Sequence, residues 1–298
     1  MKKQLILLLT VLTLLLASAC GNTQPAKDTD APAPQTESQS VPAAEDPAAD
    51  TPLTEFTVVD DSRFSLQITG VDPNGAWGYC VTCRAENRTA DQTLTFSASE
   101  AAVNGLTCTA MYAEELKPGE AKDGSIFFSM ETDPNQPLGD YTDISLTFRV
   151  KDAVDVFADP LFRDTVHVYP KGKDQASRYV REPQAGDQLL ADTEQFSATA
   201  ISCQNDSFYG FHAILYLVNK TDLPLAFSIG QITVNGEAIT SGTTYLVPAG
   251  ASAFEPVFLT DDLTEVDTEA VEEIEIGLQV LDNDAGETIW QGVGTLHP

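Results

Sequence analysis

Apolar and polar residues alternate with period two along several short stretches of this chain. Ser145–Val150 (SLTFRV) and Glu275–Val280 (EIGLQV) alternate cleanly. Phe64–Ile68 and Phe196–Ile201 begin in the same way, Val81–Ala85 and Ala213–Val218 follow, and Thr165–Tyr169 and Gly292–His297 come last. Period two places successive side chains on opposite faces of a strand, one face buried and one wet. No segment sustains the 3.6-residue period of an amphipathic helix; the acid-rich run before Glu273 has room for one helical turn. Asn-Gly at 104–105 and 235–236 is the strongest short signal for a hairpin turn. Pro-Gly at 118–119 and Ala-Gly at 249–250 mark further turns. Short strands with regular turns predict an all-β fold built as antiparallel β-sandwiches.

The pattern occurs twice. Ala85–Thr89 runs into Leu94–Ser97 and then Ala101–Gly105; Leu217–Thr221 runs into Leu225–Ser228 and then Ile232–Gly236. Leu116–Gly119 returns as Val247–Gly250, and Asp143–Asp152 as Glu273–Asp282. Pro170 and Pro298 close the copies. So many ordered matches at a spacing near 130 residues read as a tandem duplication. The copies span 56–170 and 188–298, and the polar stretch 171–187 reads as a linker. Its four basic residues are suited to the acidic faces on either side.

The shared order of strand, V-x-N-x-T, F-S, V-N-G, a Pro/Ala-Gly turn and D/E-I-x-L-x-F/L-x-V-x-D resembles the small immunoglobulin-like sandwich domains found in lipoproteins of Gram-positive gut anaerobes. The resemblance covers both copies. It implies two tandem Ig-like β-sandwiches and transfers no catalytic residue.

The N-terminus carries a different pattern. Lys2 and Lys3 precede an apolar run, Leu5–Leu16, and the small residues Ala17, Ser18 and Ala19. This is the layout of an export signal over 1–19, too short to span a bilayer comfortably. Cys20 follows, then Gly21 and Asn22, which resembles a bacterial lipobox; Ala17 stands where Leu is usual. The resemblance implies a diacylglyceryl group on Cys20, hence a membrane partner and an extracytoplasmic, lipid-anchored location. Plain secretion after cleavage is the other reading. Residues 20–55 are rich in Pro, Ala, Thr, Ser and acids with almost no large apolar residue, so they are expected to be a disordered tether.

Charge narrows the partners. The 298 residues carry 16 Lys+Arg against 45 Asp+Glu, a net −29. A nucleic-acid binder needs a basic patch, so that class is excluded. The acidity is uneven. Residues 56–170 hold 18 acids and 8 bases, whereas 188–298 hold 17 acids and only Lys220. A charge-steered partner is therefore expected to be cationic and to meet the second copy.

The chemistry-bearing residues give little. No G-x-S-x-G, S-x-x-K, Walker or dinucleotide motif occurs. His167, His212 and His297 have no metal-ligand spacing, so neither catalytic residue, metal site nor cofactor is expected. Cys80 and Cys83 have CxxC spacing, but on a strand residues three apart point to opposite faces. Cys83 and Cys108 read as buried thiols, with a disulfide between them as the alternative. The acids of 261–273 are a solvated face or, alternatively, a calcium loop. Trp77 and Tyr79 match Tyr209 and Phe211 in the repeat, and Phe162 matches Trp290. These aromatics seal the ends of each core or form a ligand patch. The functional expectation is a non-catalytic binding or scaffold module for another envelope protein or a glycan. The alternative is a solute- or metal-ion-binding accessory lipoprotein.

Overall fold

The computed structural model describes residues 50–155, 157–206, 210–239, 242–259 and 270–298. The stretches read above as an export signal and, for the most part, as a tether lie outside them, and so does Cys20. Strands account for nearly all the regular structure, beside one turn of 3-10 helix at Lys173–Gln175.

The first copy contains β1 (Phe56–Asp60), β2 (Phe64–Gly75), β3 (Gly78–Asn87), β4 (Leu94–Val103), β5 (Leu106–Leu116), β6 (Ala121–Ser129), β7 (Ile144–Asp152) and β8 (Phe162–Val168). They form β1-β2-β3-β6 against β4-β7-β8, with β5 paired to both β4 and β6. The second contains β9 (Gln188–Asp192), β10 (Phe196–Asp206), β11 (Gly210–Asn219), β12 (Leu225–Val234), β13 (Glu237–Ile239), β14 (Thr243–Val247), β15 (Ser252–Phe258), β16 (Ile274–Asp282) and β17 (Thr288–Leu296). They form β9-β10-β11-β15 against β12-β16-β17, with β13 and β14 both paired to β12. In each copy the chain crosses between sheets, pairing β3 with β6 and β4 with β7, then β11 with β15 and β12 with β16. Those crossed antiparallel pairings make both copies Ig-like sandwiches.

Period two decides which side chains are inside. In β7, Ile144, Leu146, Phe148 and Val150 are buried; in β16, Ile274, Ile276, Leu278 and Val280 are. Each core centres on matching aromatics. Phe64 meets Phe96 edge-on at 6.2 Å and Phe162 at 6.4 Å; Phe196 meets Phe227 at 5.7 Å and Trp290 at 5.5 Å. Fully burying one such ring contributes about 1.5–3 kcal/mol. Both Asn-Gly pairs have positive φ at both residues, 51° and 75° at 104–105 and 50° and 81° at 235–236. Two successive positive φ values match the twist of a tight hairpin, and Asn and Gly adopt them most easily.

Two buried asparagines repeat the same job. The Asn87 side-chain amide donates to the carbonyls of Gln92 and Leu116 and accepts from the Thr89 N–H and hydroxyl. Asn219 donates to Leu223, Val247 and Pro248 and accepts from the Thr221 N–H and hydroxyl. The residue after each asparagine reaches the first strand of its own copy. Arg88 pairs with Asp60, and Lys220 with Asp192.

A third, small apolar cluster joins the sandwiches. Leu106 from β5 packs with Ile214, Tyr216 and Phe254 of the second copy, and Tyr179 of segment 171–187 packs among them. The Ser252 N–H donates to the Gly105 carbonyl beside a single parallel bridge between β15 and β5. Arg181 is buried between two carboxylates, its Nε 2.6 Å from Asp133 and its Nη1 2.5 Å from Asp187. Segment 171–187 is thus stitched into the junction rather than swinging free of it.

Candidate functional site

The aromatic positions singled out in the sequence do not come together. Trp77 stands 80% exposed at the β2–β3 turn. Tyr79 is half-buried and its ring lies 4.5 Å from that of Tyr141. Phe211 is buried in the second core, because it shares strand parity with Ala213, Leu215 and Leu217. Tyr209 lies outside the described residues. Within each copy the pair is split by burial where it is described: Trp77 is in solvent while Tyr79 packs on the first core, and Phe211 is inside the second. Tyr79 and Phe211 serve instead as caps of their cores.

The four thiols of the folded part are free. Cys83 points into the first core beside the Tyr112 hydroxyl, and Cys108 is half-buried on β5. Tyr112, not Cys108, is the side chain beside the Cys83 sulfur, and the Cys83–Cys108 disulfide is not formed. Burial pushes Cys83 up to about 11 and Cys108 up to about 12, and it raises Cys80 and Cys203 as well. The thiolate is the nucleophile and the metal ligand, so these sulfurs stay in the inert form near neutrality. The histidines are engaged locally. His167 Nδ1 lies 2.7 Å from Asp143 and stacks on Tyr169, His212 Nδ1 lies 2.9 Å from the Gly210 carbonyl, and His297 Nδ1 lies 3.1 Å from that of Glu272. Among the described residues no three His, Cys, Asp or Glu side chains gather as a metal site requires. Most of the acidic run 261–273 weighed for calcium, its residues 261–269, lies outside them.

The two copies differ most informatively on the outer face of one sheet. In the first, the outward residues of β4, β7 and β8 tie that face shut. Arg149 bonds both Ser99 and Glu100, Arg163 reaches Glu100 at 3.3 Å, and Thr147 and Thr165 share a 2.9 Å hydrogen bond. Strand pairing makes Gln279 the counterpart of Arg149 and Gln291 that of Arg163, and counting on from the matched Ala98 and Ile229 through the β12 bulge sets Gln231 against Glu100. Ser99 becomes Gly230, Thr147 becomes Gly277 and Thr165 becomes Val293. All three charged positions turn into amides and two side chains vanish.

An open groove of about 490 Å³ results, lined by Ser228, Gly230, Gln231, Thr233, Glu275, Gly277, Gln279, Gln291 and Val293 among others. Some of its wall is fixed: Thr233 donates to Glu275 at 2.8 Å, and the Gln279 amide to Thr288 at 2.6 Å. The motif reading passed over these residues because glutamine and glycine belong to no catalytic pattern. The repeat alignment held the signal, since it sets Arg149 beside Gln279.

No known family profile matches this chain, and no curated protein matches it. Among solved structures, the YadV chaperone is 11% identical, covering 73% of this chain and 92% of that one, with a TM-score of 0.22. The CsuC-CsuE chaperone-tip adhesion subunit pre-assembly complex of the archaic Csu pili of Acinetobacter baumannii is 12% identical, covering 72% and 90%, with a TM-score of 0.21. Neither likeness bears on what this chain binds.

Proposed function

We propose that the protein is a non-catalytic binding module, held at the outer face of a membrane by a lipid on Cys20, and that it engages its partner through the outer sheet face of the second sandwich. The observation that carries this reading is the amide-lined groove over β12, β16 and β17, in which Glu275 is the single charged side chain. It sits in a copy with 17 acids and one Lys. The equivalent face of the first copy is closed by its own ion pairs. The protonated thiols and locally bonded histidines support the non-catalytic part.

A photo-crosslinking amino acid placed at 291 or, separately, at 163 tests the assignment on intact cells. Adducts are expected from 291 and not from 163. Equal labelling from both, or none from 291, defeats it. Cys20→Ser is expected to release the chain into the medium; retention on the membrane places the anchor elsewhere.

A further inference from the structure

We infer that the groove on the second sandwich is a subsite for a neutral, hydroxyl-rich oligosaccharide. This rests on the binding-module reading and names its ligand class. Each glutamine amide offers two donors and an acceptor, the complement of vicinal hydroxyls that both donate and accept. Gln231, Gln279 and Gln291 supply three such groups along one face, with one Gln279 donor already held by Thr288. The single charge in the groove is the Glu275 carboxylate, an acceptor already fixed by Thr233. With no cation to answer it, an anionic ligand is disfavoured.

The glycines point the same way. At Gly277 the bulge in β12 presses so close that a Cβ would lie 2.9 Å from the Gln231 carbonyl, so packing alone requires glycine. Packing does not require it at Gly230, where the nearest atom to an added Cβ is 3.7 Å away. The first copy places Ser99 there. Gly230 lies in the β12 bulge between Ile229 and Ile232, a usual place for a strand glycine, and its missing side chain leaves that side of the groove open. Val293, 64% exposed, adds an apolar wall for the C–H face of a sugar ring. The groove falls within the range of small-ligand sites, about 300–1,000 Å³. It lacks the buried aromatic or Arg anchors on which a protein interface depends.

The test uses the mature chain with Cys20→Ser, which leaves the folded residues untouched. Cellohexaose, maltohexaose and chitohexaose in its N-acetylated form are titrated, with oligogalacturonate as the anionic control. The side-chain amide resonances of Gln231, Gln279 and Gln291 are followed by NMR. At least one neutral sugar is expected to shift them saturably. Replacing the three with the first copy's residues (Gln231→Glu, Gln279→Arg and Gln291→Arg) is expected to weaken binding at least about tenfold, or about 1.4 kcal/mol. Gly230→Ser, a single change to the first copy's residue, is expected to weaken binding as well and serves if the triple variant misfolds. No shift with any neutral sugar, tighter binding of the anionic control, or undiminished binding by the folded variants overturns the inference. If the sugars fail while a crosslinker at 291 still labels a surface protein, the sugar assignment falls and the binding-module reading stands. If crosslinking from 291 fails too, both fall.

Discussion

In the first sandwich the fifth strand, β5, pairs with β4 on one side and β6 on the other, closing that flank. In the second its counterpart is split into β13 and β14, and both pair with β12 alone. The β15 edge is therefore left without a full neighbour of its own. An open edge invites pairing with another chain, and here it is blocked in three ways. Leu106 of the first copy bridges to Ser252, Pro256 has no N–H to offer, and the Pro256 carbonyl is taken by the Tyr245 hydroxyl. One sandwich is complete in itself, while the other is completed by docking. Identical strand order does not make two domains equally independent.

Breaking the junction tests that asymmetry most strongly. Arg181→Ala leaves Asp133 and Asp187 as buried carboxylates without their cation. Removing one partner of a buried ion pair costs about 3–5 kcal/mol. Calorimetry is expected to show one unfolding transition become two, the lower belonging to the second sandwich. A single transition at an unchanged midpoint means that the second copy stands without the first.

The asparagines test what the copies share. Asn87→Ala and Asn219→Ala each remove the side-chain donor to a buried carbonyl, Leu116 in one copy and Val247 in the other, at about 1–3 kcal/mol. Gln92 and Leu223 keep the Thr89 and Thr221 hydroxyls, and Pro248 keeps the Ala251 N–H, so losses of similar size are expected in the two copies. Urea unfolding of both variants measures them. If either substitution is neutral, the repeated motif is not what holds the ends of β3 and β11.

The parts of this fold legible in sequence are the local ones. Alternation gave the strand faces, and the Asn-Gly pairs gave the hairpins. What stayed hidden depends on distant partners. Residues 171–187 look like a free linker because Arg181 and Tyr179 are polar by type. Yet Asp133 lies 48 residues before Arg181, and no local pattern announces that pairing. The period-two rule also sends polar residues outward, while Asn87 is fully buried. Its worth comes from carbonyls at Gln92 and Leu116 that only the turn geometry brings near. The division of β5's counterpart into β13 and β14 left no mark in the hydrophobic pattern. The candidate groove was legible only by reading the outward positions of one copy against the other.

The mildest effect expected comes from one position in that comparison, Gly124 in the first copy and Glu255 in the second, which face equivalent residues Cys83 and Leu215. In the first copy the Tyr112 ring occupies the space, and a Cβ on Gly124 would lie 2.6 Å from it. In the second a half-buried carboxylate stands there. Burial, and then the charge of Glu131 from the first copy, push Glu255 up to about 7. The folded chain thus keeps this proton up to a higher pH than the unfolded chain, whose carboxyl ionises near about 4.3. Its contribution to stability is fully present below that lower value and is lost as pH rises through about 7. Above that, an ionised Glu255 faces Glu131 and weakens the side of the second sandwich that depends on docking. Glu255→Gln removes the titration. With allowance for its remaining exposure, it is expected to stabilise by on the order of 1 kcal/mol at pH ~8, about 2–4 °C in melting temperature, and to change little at pH ~4. Melting curves across that range decide the matter. An equal gain at both ends means that packing, not charge, separates the two copies at this position.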